Sequence, residues 1–147
     1  MAATNIYLTF NGNCEAAFNF YKSVFGGEFT YMGRFGEIPD SEKQHVSDSD
    51  KNLIMHVSLP IGQTIIMGSD CGEKFSSQFK QGNNFSVSVT ADSKAEADKL
   101  FNALAAGGSI TMPIATMFWG DYFGMLTDKF AVNWMISFNT LQGESNN

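Results

Sequence analysis

The chain has 147 residues, 44% of them hydrophobic and only 16% charged, with a formal net charge of −6. That length fits one domain or two small halves sharing a core, and the apolar share excludes a disordered body. Nine basic residues scattered along an acidic chain exclude a nucleic-acid partner, whose phosphates need clustered Lys and Arg.

Residues 4–11 alternate Ile6, Leu8 and Phe10 against Tyr7, Thr9 and Asn11, the period of a strand whose two faces meet different surroundings. Asn13 then opens a helix. Ala17, Phe20, Tyr21, Val24 and Phe25 fall on one apolar stripe of a 3.6-residue period, and Gly26 with Gly27 supplies the stop. Residues 28–35 read as a strand and residues 36–51 as a polar loop holding Pro39 and five acidic residues, Glu37, Asp40, Glu42, Asp48 and Asp50. Residues 53–59 and 63–69 form a hairpin around Pro60, Ile61 and Gly62.

The second half restarts the same pattern. Residues 86–91 read as a strand, Ser93 with Glu96 as a capping box, and Ala97, Leu100, Phe101, Leu104 and Ala105 as the next apolar stripe, closed by Gly107 and Gly108. The two helices superpose at a constant offset: Asn13 falls on Ser93, Ala17 on Ala97, Tyr21 on Phe101 and Gly27 on Gly107. Residues 109–116, 122–126 and 133–138 read as three further strands, so each half is βαβββ and the chain reads as an internal duplication. The expected organisation is α+β, with modules at residues 1–72 and 84–140, a linker at 73–83 and a loose tail at 141–147.

The run Leu8, Thr9, Phe10, Asn11, Gly12, Asn13, Cys14, followed by Phe20, Tyr21, Val24, Phe25, Gly26 and Gly27, resembles the opening of the vicinal oxygen chelate superfamily of glyoxalases, bleomycin-resistance proteins and extradiol dioxygenases. Trp119, Gly120, Asp121, Phe123, Gly124, Thr127, Asp128, Trp134 and Met135 resemble the closing signature of its PhnB-like branch, often labelled demethylubiquinone methyltransferase-like. The resemblance runs from Ile6 to Phe138. It implies paired βαβββ modules whose mixed sheets curl around a cavity, and a homodimer.

Metal-using members of that superfamily place His or Glu near the start of each module's first strand and on its last strand, facing the cavity. Carried over position by position, these sites fall on Ile6, Met67, Ser86 and Met135. An aliphatic chain, two thioethers and one hydroxyl offer neither the imidazole nor the negative charge that zinc, iron or nickel requires. No metal and no other cofactor is therefore expected, and the expected partner is an apolar or planar small molecule. A glycine-rich nucleotide-binding turn after the first strand, which the methyltransferase label would suggest, is missing.

Residues expected at the cavity are Ile6, Leu8, His56, Met67, Ser86, Ser88, Trp119, Asp121 and Met135, with catalytic roles unassigned. His56 reads either as a strand residue satisfied at a sheet face or as a general base in the cavity, whereas His45 reads as a solvated loop residue. Met67 and Met135 read as parts of a pliable pocket, and Ser86 and Ser88 as hydroxyls that orient a ligand or bond to backbone. Trp119 and Asp121 read either as recognition groups in a glycine-flanked turn or as a cover for the sheet rim. Asp128 is expected to make an Asx-type turn, and Cys14 and Cys71 to be reduced structural thiols. Two other classes stay open: an enzyme of the glyoxalase or dioxygenase type whose metal is held by His56 with Glu37 or Asp121, and a drug-sequestering protein. No apolar run approaches the roughly 20 residues of a membrane span, and Met1, Ala2, Ala3, Thr4 and Asn5 lack the features of a secretory leader, so no membrane partner and a cytoplasmic location are expected.

Overall fold

The computed structural model describes residues 1–41 and 46–140, and the chain divides into two compact units, residues 1–80 and 81–147. His45 and the tail at 141–147 lie outside the described residues.

The first unit runs β1 (Ile6–Phe10), α1 (Cys14–Phe25), β2 (Tyr31–Arg34), β3 (Ile54–Ile61) and β4 (Thr64–Asp70), joined in one sheet of order β1-β4-β3-β2. β1 and β4 are parallel and the other pairs antiparallel. Leu8 and Phe10 are buried on one face of β1, as their alternation requires, and α1 packs over that face against β3 and β4. The helix buries Cys14, Ala17, Phe18 and Tyr21 completely, so its contact stripe is turned from the expected one, with Ala17 and Tyr21 common to both. Phe18 is what turns it. Its ring meets Phe10 and Tyr21 edge to face, at centroid separations of 6.1 and 5.6 Å.

Gly68 makes this close approach possible, because a Cβ there would lie 2.6 Å from the Phe18 ring and 2.8 Å from the Leu8 carbonyl oxygen. The expected cap, Asn13, makes no side-chain bond. Asp70, at the end of β4, replaces it: its Oδ1 accepts from the N–H groups of Gly12 and Cys14, each at 3.0 Å, and its Oδ2 from that of Ile54 at 2.9 Å.

β2 is shorter than expected, and β3 continues through Pro60 to Ile61 so that the hairpin turns at Gly62, where φ is +59°. Proline is tolerated in this strand because the pairing with β2 reaches no further than Tyr31, opposite Ser58. Glu73–Gln78, assigned to the linker, form a 3-10 helix.

The second unit runs β5 (Val87–Thr90), α2 (Lys94–Ala105), β6 (Ser109–Thr116), β7 (Asp121–Thr127) and β8 (Asn133–Asn139), in the order β5-β8-β7-β6. Element order, strand order and the parallel pairing of first with last strand repeat those of the first unit. Here the Ser93 half of the expected capping box forms, Ser93 Oγ accepting from Glu96 N–H at 3.0 Å, whereas Glu96 Oε1 accepts at 3.0 Å from the N–H of Asp92, one residue before the cap, and not from that of Ser93. Ala97, Leu100, Phe101 and Leu104 are buried against β6, β7 and β8. Asp128 makes its Asx turn, with Oδ1 accepting from Phe130 and Val132 N–H, while Oδ2 takes the indole N–H of the fully buried Trp134. No helix among the described residues is long and apolar enough to cross a membrane.

Candidate functional site

Each sheet has one face under its helix and one open face, and the strand registers decide which residues share the open one. In the first unit, Tyr7, Met67, Ser58 and Tyr31 stand opposite one another across β1, β4, β3 and β2. His56 lies two residues from Ser58 on β3, opposite Gly33, and so on the same face.

These side chains form one cluster. The His56 ring sits between Tyr7 and Tyr31, at centroid separations of 5.6 and 5.8 Å. Its Nδ1 is 3.4 Å from the Tyr7 hydroxyl and its Nε2 2.9 Å from Ser58 Oγ. Ser58 is buried, whereas the two tyrosines are about half exposed, at 48% and 49%. Gly33 lets Tyr31 fold inward, since a Cβ there would lie 2.5 Å from the Tyr31 hydroxyl.

Of the expected cavity residues, His56 and Met67 are on this open face. Ile6 and Leu8 are not. They pair with Ile66 and Gly68 and share the face that carries α1, with Leu8 only 4% exposed. The helices superpose at the expected offset, but the strand faces do not: Val87 is buried beside Trp134, whereas Tyr7 is open beside Met67. A one-residue slip in a strand exchanges the faces of all its side chains, so the β1 residue beside Met67 on the open face is Tyr7, whereas the carried-over position Ile6 lies on the other face.

In the second unit, Ser88, Met135 and Met125 stand in register across β5, β8 and β7, with Met112 of β6 following past a bulge. A pocket of about 600 Å³ opens there, lined by Gln81, Asn83, Ser86, Thr111, Met125, Thr127 and Asn133 among others. Thr127 Oγ1 bonds to Asn133 Oδ1 at 2.7 Å. Ser86 thus lines this pocket, and Ser88 and Met135 share one sheet position. Trp119 and Asp121 close on each other in the β6–β7 turn, where the half-exposed indole N–H donates to Asp121 Oδ2 at 3.0 Å.

The donor set does not fit a divalent metal. The carried-over positions hold an aliphatic chain, a hydroxyl and two thioethers, and the open-face pairs Tyr7 with Met67 and Ser88 with Met135 hold a phenol, a hydroxyl and the same thioethers, all without a carboxylate. Glu37, the alternative partner for His56, accepts instead from Arg34 N–H, and Asp121 is occupied by Trp119. Among the described residues no three His, Cys, Asp or Glu side chains group so as to hold a metal ion. Cys14 is no better suited to nucleophilic chemistry, because burial and the nearby carboxylates of Asp70 and Glu15 push its thiol far up. Burial likewise raises the Cys71 thiol.

Tyr7, Tyr31 and Ser58 escaped sequence reading. Tyr7 was visible as the odd member of the β1 alternation, but nothing local reveals that β2 and β3 bring Tyr31 and Ser58 beside it.

Two βαβββ modules with the same strand order define this protein as one of the glyoxalase/bleomycin-resistance-like fold. The family model for 3-demethylubiquinone-9 3-methyltransferase matches residues 2–137, and the chain belongs to that PhnB-like family. It is similar to protein YjdN of Escherichia coli K12, 32% identical over 137 residues that cover 89% of this chain and 91% of that one. Among solved structures, protein PA1353 from Pseudomonas aeruginosa is 40% identical with a TM-score of 0.80, covering 95% of this chain and 98% of its own. A PhnB protein from Bacillus cereus is 25% identical with a TM-score of 0.70, covering 93% and 99%.

Proposed function

We propose that the chain binds a small apolar or planar molecule without a metal, on the open faces of its sheets. One observation carries this reading: the paired positions on first and last strand are Tyr7 with Met67 and Ser88 with Met135, which offer rings, thioethers and hydroxyls in place of charged ligands. Methionine adapts to the shape of what it touches and contacts aromatic rings, which suits a planar guest. The second unit's pocket adds amides and hydroxyls that fix orientation without attracting ions.

The proposed assembly is a homodimer, because β6 stands at a sheet edge and leaves Ile110 and Met112 uncovered. The proposed location is the cytoplasm.

The test is elemental analysis of untagged protein together with a thermal-shift screen of metabolites and antibiotics. The expected result is no stoichiometric transition metal, with stabilisation by planar compounds that persists in a chelator. About one Ni, Zn, Fe or Mn per chain, or stabilisation that vanishes with the chelator, overturns the reading.

A further inference from the structure

We propose that the cluster on the first sheet is a proton-transfer site, in which Tyr7 and His56 together ionise the acidic O–H of a planar ligand such as a phenol or an enol. The inference rests on the binding reading above and adds a chemical step to it.

Both nitrogens of His56 are engaged, and by groups of different kinds. Ser58 is buried and stands at 2.9 Å from Nε2, while the Tyr7 hydroxyl reaches Nδ1 at 3.4 Å from a ring that is half exposed. With Nε2–H donating to Ser58 Oγ, the lone pair of Nδ1 faces the Tyr7 hydroxyl. Tyr7 is therefore the member of the chain that a ligand meets first, and His56 is the base behind it.

The step balances without a co-reactant. The ligand O–H bond breaks and its proton passes to the Tyr7 oxygen, while the proton already on that oxygen passes to His56 Nδ1. The products are a ligand oxyanion and an imidazolium whose Nε2–H remains bonded to Ser58. The reverse transfer regenerates the neutral pair.

Charged groups on the neighbouring elements are directed elsewhere. Arg34 of β2 pairs with Glu15 of α1, Glu37 bonds to the Arg34 N–H, and Asp70 of β4 lies under the helix with its three N–H donors. The titratable groups that face His56 are thus Tyr7 of β1 and Tyr31 of β2. Tyr31 offers a second half-exposed ring, and the two rings suit a flat ligand that stacks or packs edge to face.

The probe is 4-nitrophenol, whose neutral and ionised forms differ in absorbance, titrated with the full chain. In the unaltered protein the ionisation midpoint of the bound probe is expected to fall by about one pH unit, the shift that an adjacent cation imposes on an acid. Tyr7→Phe keeps the ring and removes the relay, so it is expected to bind the probe with its midpoint restored, and His56→Gln to do the same. A bound probe with an unshifted midpoint overturns the proposal, as does a shift that survives in Tyr7→Phe or His56→Gln. Failure of the probe to bind also overturns it. The binding reading is judged separately, by the thermal-shift screen.

Discussion

The Cys14 N–H donates to Asp70 Oδ1 at 3.0 Å, so the first residue of α1 is held by the last residue of β4. The same carboxylate takes the N–H groups of Gly12 and Ile54, and Asp70 is only 4% exposed. Asp70→Ala leaves three buried or half-buried donors without an acceptor. A loss of about 3 kcal/mol is expected in urea unfolding, since each orphaned buried donor costs about 1–3 kcal/mol and neighbouring losses overlap. A loss below about 1 kcal/mol would mean that water replaces the carboxylate and that the cap is dispensable.

Gly68 gives a steric counterpart. Its missing Cβ leaves room for the Phe18 ring, and on the other side the Leu8 carbonyl, being backbone, has little freedom to move. Gly68→Ala is expected to cost about 1–3 kcal/mol, the usual range for overpacking. Adding Phe18→Leu should recover part of that loss, a coupling that thermal unfolding of the single and double variants measures.

The face assignment in β1 can be tested by pairing two substitutions one residue apart. Leu8 lies under the helix and Tyr7 on the open side. Leu8→Ala should cost about 2–5 kcal/mol and Tyr7→Ala well under half as much. The reverse order would place Ile6 and Leu8 on the helix-free face and remove Tyr7 from the cluster.

What the sequence made legible, and what it hid, follows from the range of each interaction. Helix positions were readable because caps, stripes and glycine stops are local: Ser93 and Glu96 lie three residues apart, and Ser93 caps the Glu96 N–H as their spacing suggests. The duplication was readable for the same reason. Asp70 could not be recognised as the cap of α1, since it is 56 residues from Cys14. The strand faces failed on a subtler ground. An alternation says that two faces differ without saying which one a helix covers, and the 80-residue offset of the helices does not carry the strand parity with it. His56 was singled out as one of two histidines, but its partners come from three strands whose pairing no local motif records.

The ion pair between Arg34 and Glu15 yields a pH dependence. Hydrogen bonding to the guanidinium holds the Glu15 carboxyl below its ordinary 4.5, outweighing the opposing effect of burial, and the Arg34 charge adds to the lowering. The unfolded chain therefore binds the proton more readily than the folded one, and the stabilisation is fully present above about pH 4.5. It is lost as pH falls through the lowered folded value. Both side chains are partly solvated, which limits the pair to under about 1 kcal/mol. Urea midpoints for the parent chain and Glu15→Gln should differ at pH 7 and converge in acid; a difference that persists below the ordinary carboxyl range would assign the effect to lost packing.

The two tryptophans allow the open turn to be watched directly. Trp134 is fully buried with its N–H on Asp128, whereas Trp119 is half exposed with its N–H on Asp121. Trp119→Phe should leave a blue-shifted emission from Trp134 that acrylamide barely quenches, with stability reduced by no more than about 1 kcal/mol for one exposed hydrogen bond. Asp121→Asn keeps an acceptor for the indole and removes the charge, so it should change quenching less than Asp121→Ala does. If both Asp121 variants leave Trp119 quenching untouched, the bond does not hold the ring. If Asp121→Ala alone raises it, the carboxylate serves to fix the indole, and the role of Asp121 in the turn is structural.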